Sequence, residues 1–365
     1  MPTMSRIATK ITSANKLVPI LSDVARRARV SKTTASRVLN PTSQHPVKQL
    51  TRQRVLRVAA SMGYRPNPMA RALRTRQQPT IAVLVHDVTD LYFAEIVRGA
   101  TIAASRSGFL TVVCSSSRDP ATELKYLEML SLSRVAGVIF AGGGLEDESY
   151  KRAIRIHAAN IRSYGGVLVA LAPRADRWPA ELPDNEGGAH LATEHLLALG
   201  HRDIAMISGP INLRTSRERE HGYQQALTAQ GLAARLAVGD FTRQGGARAM
   251  AELLAGPHLS AVFVSNDAMA VGALAELRRR GVAVPGDMSL VGFDDVPGLD
   301  YLHPALTTVR VPMADLGAAG ANRVLKLLSG ADRGPRVRTH PVELVLREST
   351  AAPSQVLRRV AIGAS

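Results

Sequence analysis

The 365-residue chain predicts an α/β protein with a small helical head. The head reads as a three-helix helix-turn-helix domain followed by a hinge helix. Behind it the sequence predicts two doubly wound parallel-sheet subdomains. Three observations carry this reading. Positive charge is concentrated in the first fifth of the chain. Residues 22–40 hold two short amphipathic helices around a tight joint. From Thr80 onward, short apolar strands alternate with amphipathic helices, the pattern of parallel sheets covered on both faces.

The formal net charge is +16, and its location matters more than its size. Residues 1–76 contain 16 Lys/Arg and a single acid, Asp23, whereas the remaining 30 Lys/Arg are matched by 29 Asp/Glu. A basic head on a near-neutral body marks a polyanion-binding unit. With 45% hydrophobic residues the body can bury sizeable cores. The one cysteine, Cys114, rules out a disulfide framework and a cysteine-based metal site, and its apolar run FLTVVC predicts a buried strand thiol. No run reaches the ~18–20 apolar residues of a membrane span. The first twenty residues lack the apolar core of a secretory signal. The expectation is a cytoplasmic protein with no membrane partner, its first 19 residues a disordered extension.

In the head, Leu21, Val24, Ala25 and Ala28 recur at helical spacing. Ser22 is available to cap a short first helix. After the joint at Arg29-Val30, Ser31 is a natural N-cap. Ala35, Val38 and Leu39 form the inner face of the second helix. Its outer face carries Lys32, Thr33, Ser36 and Arg37, with Asn40 at the end. Donors and acceptors without an acid suit base edges in a major groove. Residues 50–63 predict a third helix with the stripe Val55, Val58, Ala59, Met62 and a stop at Gly63. Asn67-Pro68 then opens a helix that can run only to about Arg74. Two arginine-rich turns would not persist alone in water. DNA phosphates and a minor groove could hold them, with Leu73 as an apolar wedge.

The runs DVARRARVSKTTASRVLN, TRQRV and GYRPNPMARALRT resemble the LacI family of bacterial transcription repressors. The resemblance implies base-reading roles for Lys32, Thr33 and Arg37, and DNA-backbone contacts for Tyr64 and Asn67. It implies that Leu73 is a lever pairing with its dimer mate. Ser31, Ser36, Asn40 and Ala70 complete the expected DNA-binding set. Arg29 stands where the family's turn usually has glycine, and a left-handed backbone there would cost arginine about 1 kcal/mol. Lys48 and Ile20 replace a usual Ser and Thr.

In the body, the predicted strand ends carry Asp87, Asp90, Tyr92 and Phe93 in the first block. The second block offers Arg219, Asp240, Phe241, Asn266, Asp267, Asp294 and Asp295. Ligands of doubly wound folds sit at strand C-termini. Carboxylate, amide and guanidinium groups with aromatic walls suit hydroxyl-rich or heteroaromatic small molecules. An aspartate after a strand also fits a helix cap, and either phenylalanine fits a core. The runs REREHGYQQAL, FVSNDAMAVGAL, SLVGFDDV and PALTTVRVP are similar to LacI-family effector domains and to periplasmic sugar-binding proteins. This implies a periplasmic-binding-protein type I-like body. It also implies an effector site of Asp90, Tyr92, Phe93, Arg219, Phe241, Asn266 and Asp294.

The implied whole is a homodimeric repressor bound to a near-palindromic double-stranded operator and controlled by a sugar, a sugar acid or a related metabolite. An activator would share the architecture. The expected layout is a DNA-binding domain at 20–66, a hinge at 67–78, an effector domain at 79–352 and a tail at 353–365. Within the effector domain, subdomain 1 is 79–172 with 311–335, and subdomain 2 is 173–310 with 336–352. The chain would thus cross between them near Ala172, Val311 and Arg336. The glycines at 142–144 are neither a dinucleotide nor a phosphate loop, and predict a strand-to-helix turn. No histidine pair has metal-ligand spacing on a helix, and no nucleophile is paired with a base. No enzyme, metal or cofactor is therefore expected.

Overall fold

The computed structural model describes residues 19–39, 47–64, 78–174 and 178–354. The expectations for Asn40, Asn67, Ala70, Leu73, the hinge helix, residues 1–18 and most of the tail lie outside these. The chain divides into two compact units, Met1–Thr75 and Arg76–Ser365.

The head contains α1 (Leu21–Arg27), α2 (Lys32–Leu39) and α3 (Gln49–Ser61). They close on a core of Val24, Ala25, Ala28, Ala35, Val38, Val55 and Ala59. Most of these side chains are small, so the helices approach closely but each contributes little; a fully buried valine is worth about 1.5–2 kcal/mol. Ser22 does not cap α1, because the helix begins at Leu21 and Ser22 lies inside it. Asp23 instead reaches back to accept the Ile20 N–H at 3.0 Å. Ser31 does cap α2, accepting from the Thr34 N–H at 3.0 Å. Arg29 is left-handed, with φ 49°. The Val30 N–H donates to the Ala25 carbonyl and the Arg29 N–H to that of Arg26, which satisfies the end of α1 in a Schellman turn. Gly63, with φ 63°, ends α3 in the same way, through Tyr64 N–H to Ala59 and Gly63 N–H to Ala60.

The body begins with β1 (Gln78–Val85), α4 (Leu91–Arg106), β2 (Leu110–Ser115), α5 (Pro120–Leu132), β3 (Val135–Phe140), α6 (Glu148–Ser163), β4 (Val167–Ala170) and β5 (Ala180–Pro183). It continues with α7 (Asn185–Ala198), β6 (Ile204–Ser208), α8 (Arg214–Thr228), β7 (Leu236–Val238), α9 (Arg243–Leu254), β8 (Ala261–Val264), α10 (Asp267–Arg279) and β9 (Ser289–Asp294). Last come β10 (Thr307–Arg310), α11 (Met313–Leu328), β11 (Val337–His340) and β12 (Glu343–Val345). Two six-stranded sheets result, ordered β11-β5-β4-β3-β1-β2 and β12-β10-β9-β8-β6-β7. The central strands β3 and β9 are buried along their whole length, as strands covered by helices on both faces must be. Gly99 and Gly317 let α4 and α11 touch backbone to backbone; a Cβ on Gly317 would lie 2.0 Å from the Ile96 carbonyl oxygen.

Two of the expected crossings are displaced. The chain leaves the first sheet after Pro183 rather than near Ala172, because β5 belongs to that sheet and pairs with β11. Its Glu181 is buried between Arg323, at 3.1 Å, and His340, at 2.7 Å. A strand carrying a neutralised buried charge has no apolar signature. The chain also stays in the first sheet past the crossing expected near Arg336, because residues 337–345 hold two strands. Pro341 has no N–H to continue a ladder, so β11 stays in the first sheet and β12 pairs antiparallel with β10. The remaining crossing follows Arg310. The β10–β12 pair also departs from the expected all-parallel arrangement.

Candidate functional site

The C-terminal ends of both sheets border one cleft with about 490 Å³ of open space. All seven residues expected there line it: Asp90, Tyr92, Phe93, Arg219, Phe241, Asn266 and Asp294. His86, Arg118 and Thr215, which were not singled out from the sequence, line it too, as do Gly142 and Gly143 of the expected glycine turn. The other strand-end acids serve the scaffold. Asp87 accepts from Thr89, Asp240 from Thr242 and Arg248, and Asp267 from Thr308 and Val296, while Asp295 pairs with Arg310 and Arg347.

Arg219 is fixed before any ligand arrives. Its Nε donates to Asn185 Oδ1 at 3.0 Å, Nη1 to the Ser265 carbonyl, and Nη2 lies 3.3 Å from Asp294 Oδ1. Its guanidinium stacks on Phe293, 3.7 Å from the ring centroid. The ion pair is close but poorly directed, so Asp294 Oδ1 receives no hydrogen bond within the described residues. Asp294 is 4% exposed. Burial pushes its carboxyl well above the usual range, against the pull of Arg219 and with Asp267 and Asp90 adding to the rise. Asn266 caps α10, accepting from the Met269 N–H at 3.0 Å. Phe241 holds a left-handed backbone, φ 62°, and its ring covers Gly209, where a Cβ would meet it at 2.2 Å.

The first-sheet wall is assembled differently. Asp90 caps α4 through the Tyr92 N–H at 3.0 Å. Phe93 is buried and packs edge-on against Tyr92. His86 lies over Gly142, whose missing side chain leaves room for the ring. Burial pushes the His86 imidazole down to about 4, so it is neutral near pH 7. Beneath the glycine turn, Arg174 donates to the Gly142 carbonyl at 2.8 Å and to Glu123 at 2.8 Å, and lies 4.3 Å above the centroid of Phe140.

In the head, Ser31, Lys32, Thr33 and Arg37 are exposed, and Ser36 is half-buried beside them. Ser31 is occupied with capping. Tyr64 packs against the small core rather than standing clear of it.

Two family models match the two units. Residues 20–67 match the model described as bacterial regulatory proteins, lacI family, and residues 193–350 match a periplasmic binding protein-like domain. The HTH-type transcriptional repressor CytR of Escherichia coli is 33% identical over 341 residues, covering 91% of this chain and 96% of that protein. The chain belongs to the LacI family. It is a DNA-binding transcription regulator, with a helix-turn-helix head and an effector-domain body, and the family is one of regulators rather than enzymes. Catabolite control protein A of Priestia megaterium is 32% identical over 90% of this LacI-family chain and 98% of its own length. Among solved structures, the lac repressor dimer bound to operator and the anti-inducer ONPF superposes with a TM-score of 0.78 at 29% identity, covering 92% of this chain and 99% of that one. The CelR–cellobiose complex gives 0.68 at 30% identity, covering 91% and 99%. No helix among the described residues is long and apolar enough to cross a membrane.

Proposed function

We propose that the protein is a cytoplasmic repressor that binds a near-palindromic operator as a homodimer. A polyhydroxylated small molecule in the cleft, of the sugar or sugar-acid class, then alters its operator affinity. One observation carries the effector half. Asp294 Oδ1 is buried in the cleft wall with Arg219 Nη2 3.3 Å away but no well-directed hydrogen bond among the described residues, and a ligand hydroxyl would supply one. Phe93, Phe241 and Tyr92 provide apolar walls for a ring. The CelR structure holds cellobiose, and a family member from Enterococcus faecium holds ribose, which supports the sugar class.

For DNA, exposed Lys32, Thr33 and Arg37 are the base readers, and by the resemblance Tyr64, Asn67, Ala70 and Leu73 act at the backbone and minor groove. For the dimer, both sheets end in apolar edge strands. Leu110 is 67% exposed on β2 and Val238 58% on β7, surface that an isologous partner would cover. The whole body would form the effector and dimerisation domain, with subdomain boundaries near residues 184, 311 and 341.

A thermal-shift screen against sugars, sugar acids and nucleobases tests the effector half. A ligand at 100 times its Kd stabilises by about 2.7 kcal/mol, and the same compound should change operator affinity. Hits that leave operator affinity untouched would refute the regulatory reading. Arg37→Ala should lose about 1–3 kcal/mol of discrimination at one base pair; equal weakening on every sequence would make Arg37 a phosphate contact.

A further inference from the structure

We propose that the effector carries a carboxylate and that Arg118 reads it. This deepens the effector reading of the cleft and rests on it. Arg118 follows β2 in a turn where Ser117 and Arg118 are both left-handed, with φ 51° and 60°. It lines the cleft and also an adjoining hollow bordered by Glu123, Tyr150 and Asn212. Its Nε is buried and has no hydrogen-bond partner among the described residues. No described carboxylate stands within ion-pair distance of it.

The acids nearby are already engaged. Glu123 accepts from Arg174 at 2.8 Å and Tyr150 at 3.0 Å. Asp87 holds Thr89, Asp119 holds Thr122, and Asp90 caps α4. The Phe241 ring lies 6.0 Å from the guanidinium, and the Arg118 charge is felt at His86, Asp87 and Asp90 without an ion pair to either carboxylate among the described residues. A buried donor left without an acceptor costs about 1–3 kcal/mol, a deficit that an acceptor on the ligand removes.

Asp294 Oδ1 presents the complementary gap from the second-sheet wall. A molecule with an anionic group at one end and a hydroxyl at the other fills both gaps and ties the two halves together. A planar carboxylate matches the guanidinium fork. A phosphate dianion would share the space with the Asp90 and Asp294 carboxyls, so the monoanion fits better.

The experiment measures Kd and melting temperature on the full-length protein with sugars matched at one carbon. These are D-glucose, D-glucuronate and D-glucose 6-phosphate, and the corresponding galactose set. In at least one set the uronate should bind about tenfold tighter than the neutral sugar. Arg118→Gln should bring the two within about twofold, and Arg118→Lys, which keeps the charge without the fork, should recover part of the preference. Three results would each overturn the inference: no uronate preference in either set, a preference that survives in Arg118→Gln, or tightest binding of a 6-phosphate. If only neutral sugars bind, and Arg219→Ala abolishes that binding, the effector reading stands while the carboxylate inference fails. If none of the six compounds binds, the carboxylate inference fails, and the broader screen decides the effector reading.

Discussion

Arg219 and Arg118 reach one cleft from opposite sheets. Asn185, Ser265, Asp294 and the face of Phe293 engage Arg219, while the Nε of Arg118 has no partner among the described residues. The same asymmetry runs through both walls. On the second-sheet side, Asn266 is fixed as a helix cap and Phe241 is pinned over Gly209. On the first-sheet side a neutral imidazole rests on a glycine turn. The preorganised wall gives up little entropy when a ligand binds and so supplies affinity. The wall with an unsatisfied guanidinium N–H supplies selectivity, because it rewards a ligand that completes it.

Removing Arg219 breaks the comparison most severely. Arg219→Ala leaves Asn185, the Ser265 carbonyl and Asp294 without their shared partner. Breaking a buried pair costs about 3–5 kcal/mol; the raised carboxyl of Asp294 can take up a proton, so the lower end is expected. Urea unfolding should show the loss, and no effector concentration should restore the response. A drop below about 1 kcal/mol would mean that Arg219 does not organise its wall.

Acid tests the other wall. The folded His86 value, about 4, lies below its ordinary 6.5. Its neutral form is therefore favoured by folding, and its stabilising contribution is complete above pH 6.5 and lost as pH falls toward 4. The loss should be about 2–3 kcal/mol. Burial also lowers His195 and His201, so the measurement is the difference between wild type and His86→Gln across that window. Parallel curves would remove His86 from the account.

A smaller change is expected from Gly142→Ala. Its Cβ would lie 2.2 Å from His86 Nε2, and the ring must move. Overpacking of this kind costs about 1–2 kcal/mol, and effector affinity should fall with it. Asn185→Ala should have the least effect. It removes one acceptor from Arg219 without adding bulk, and a loss of about 1 kcal/mol in effector binding is expected by calorimetry. An unchanged affinity would show that the remaining contacts suffice to hold Arg219.

The sequence made the second-sheet wall easier to read than the first. Arg219, Phe241, Asn266 and Asp294 follow helix starts or strand ends that announce themselves by apolar periodicity. His86 and Arg118 carry no such mark. His86 closes the apolar run of β1, directly before the singled-out Asp87, and Arg118 is one basic residue in a turn. Their roles arise from what surrounds them, a glycine turn beneath the His86 ring and no acceptor at the Arg118 Nε among the described residues, which only three dimensions reveal. Gly142 had a signal, the glycine run after β3, but its correct reading as a turn did not extend to the ring above it. In the fold, the alternation of strand and helix is plain, whereas β5 and β10 carry no apolar run to mark them as strands. β5 is four residues long and contains a buried glutamate and a proline. Arg29 was legible in the opposite sense: the departure from glycine pointed to the left-handed turn, and exposure lets the arginine side chain remain in solvent.

The three crossings between the sheets lie abreast. The Asp184 N–H donates to the His340 carbonyl at 3.0 Å, which ties the first to the third, and Arg310 bonds Glu343 at 2.7 Å, which ties the second to the third. One tether would behave as a ball joint. Three side by side behave as a door hinge, resisting swivel and shear and leaving rotation about a single line. Molecules of different shape in the cleft would then all be read as one number, the angle of that door.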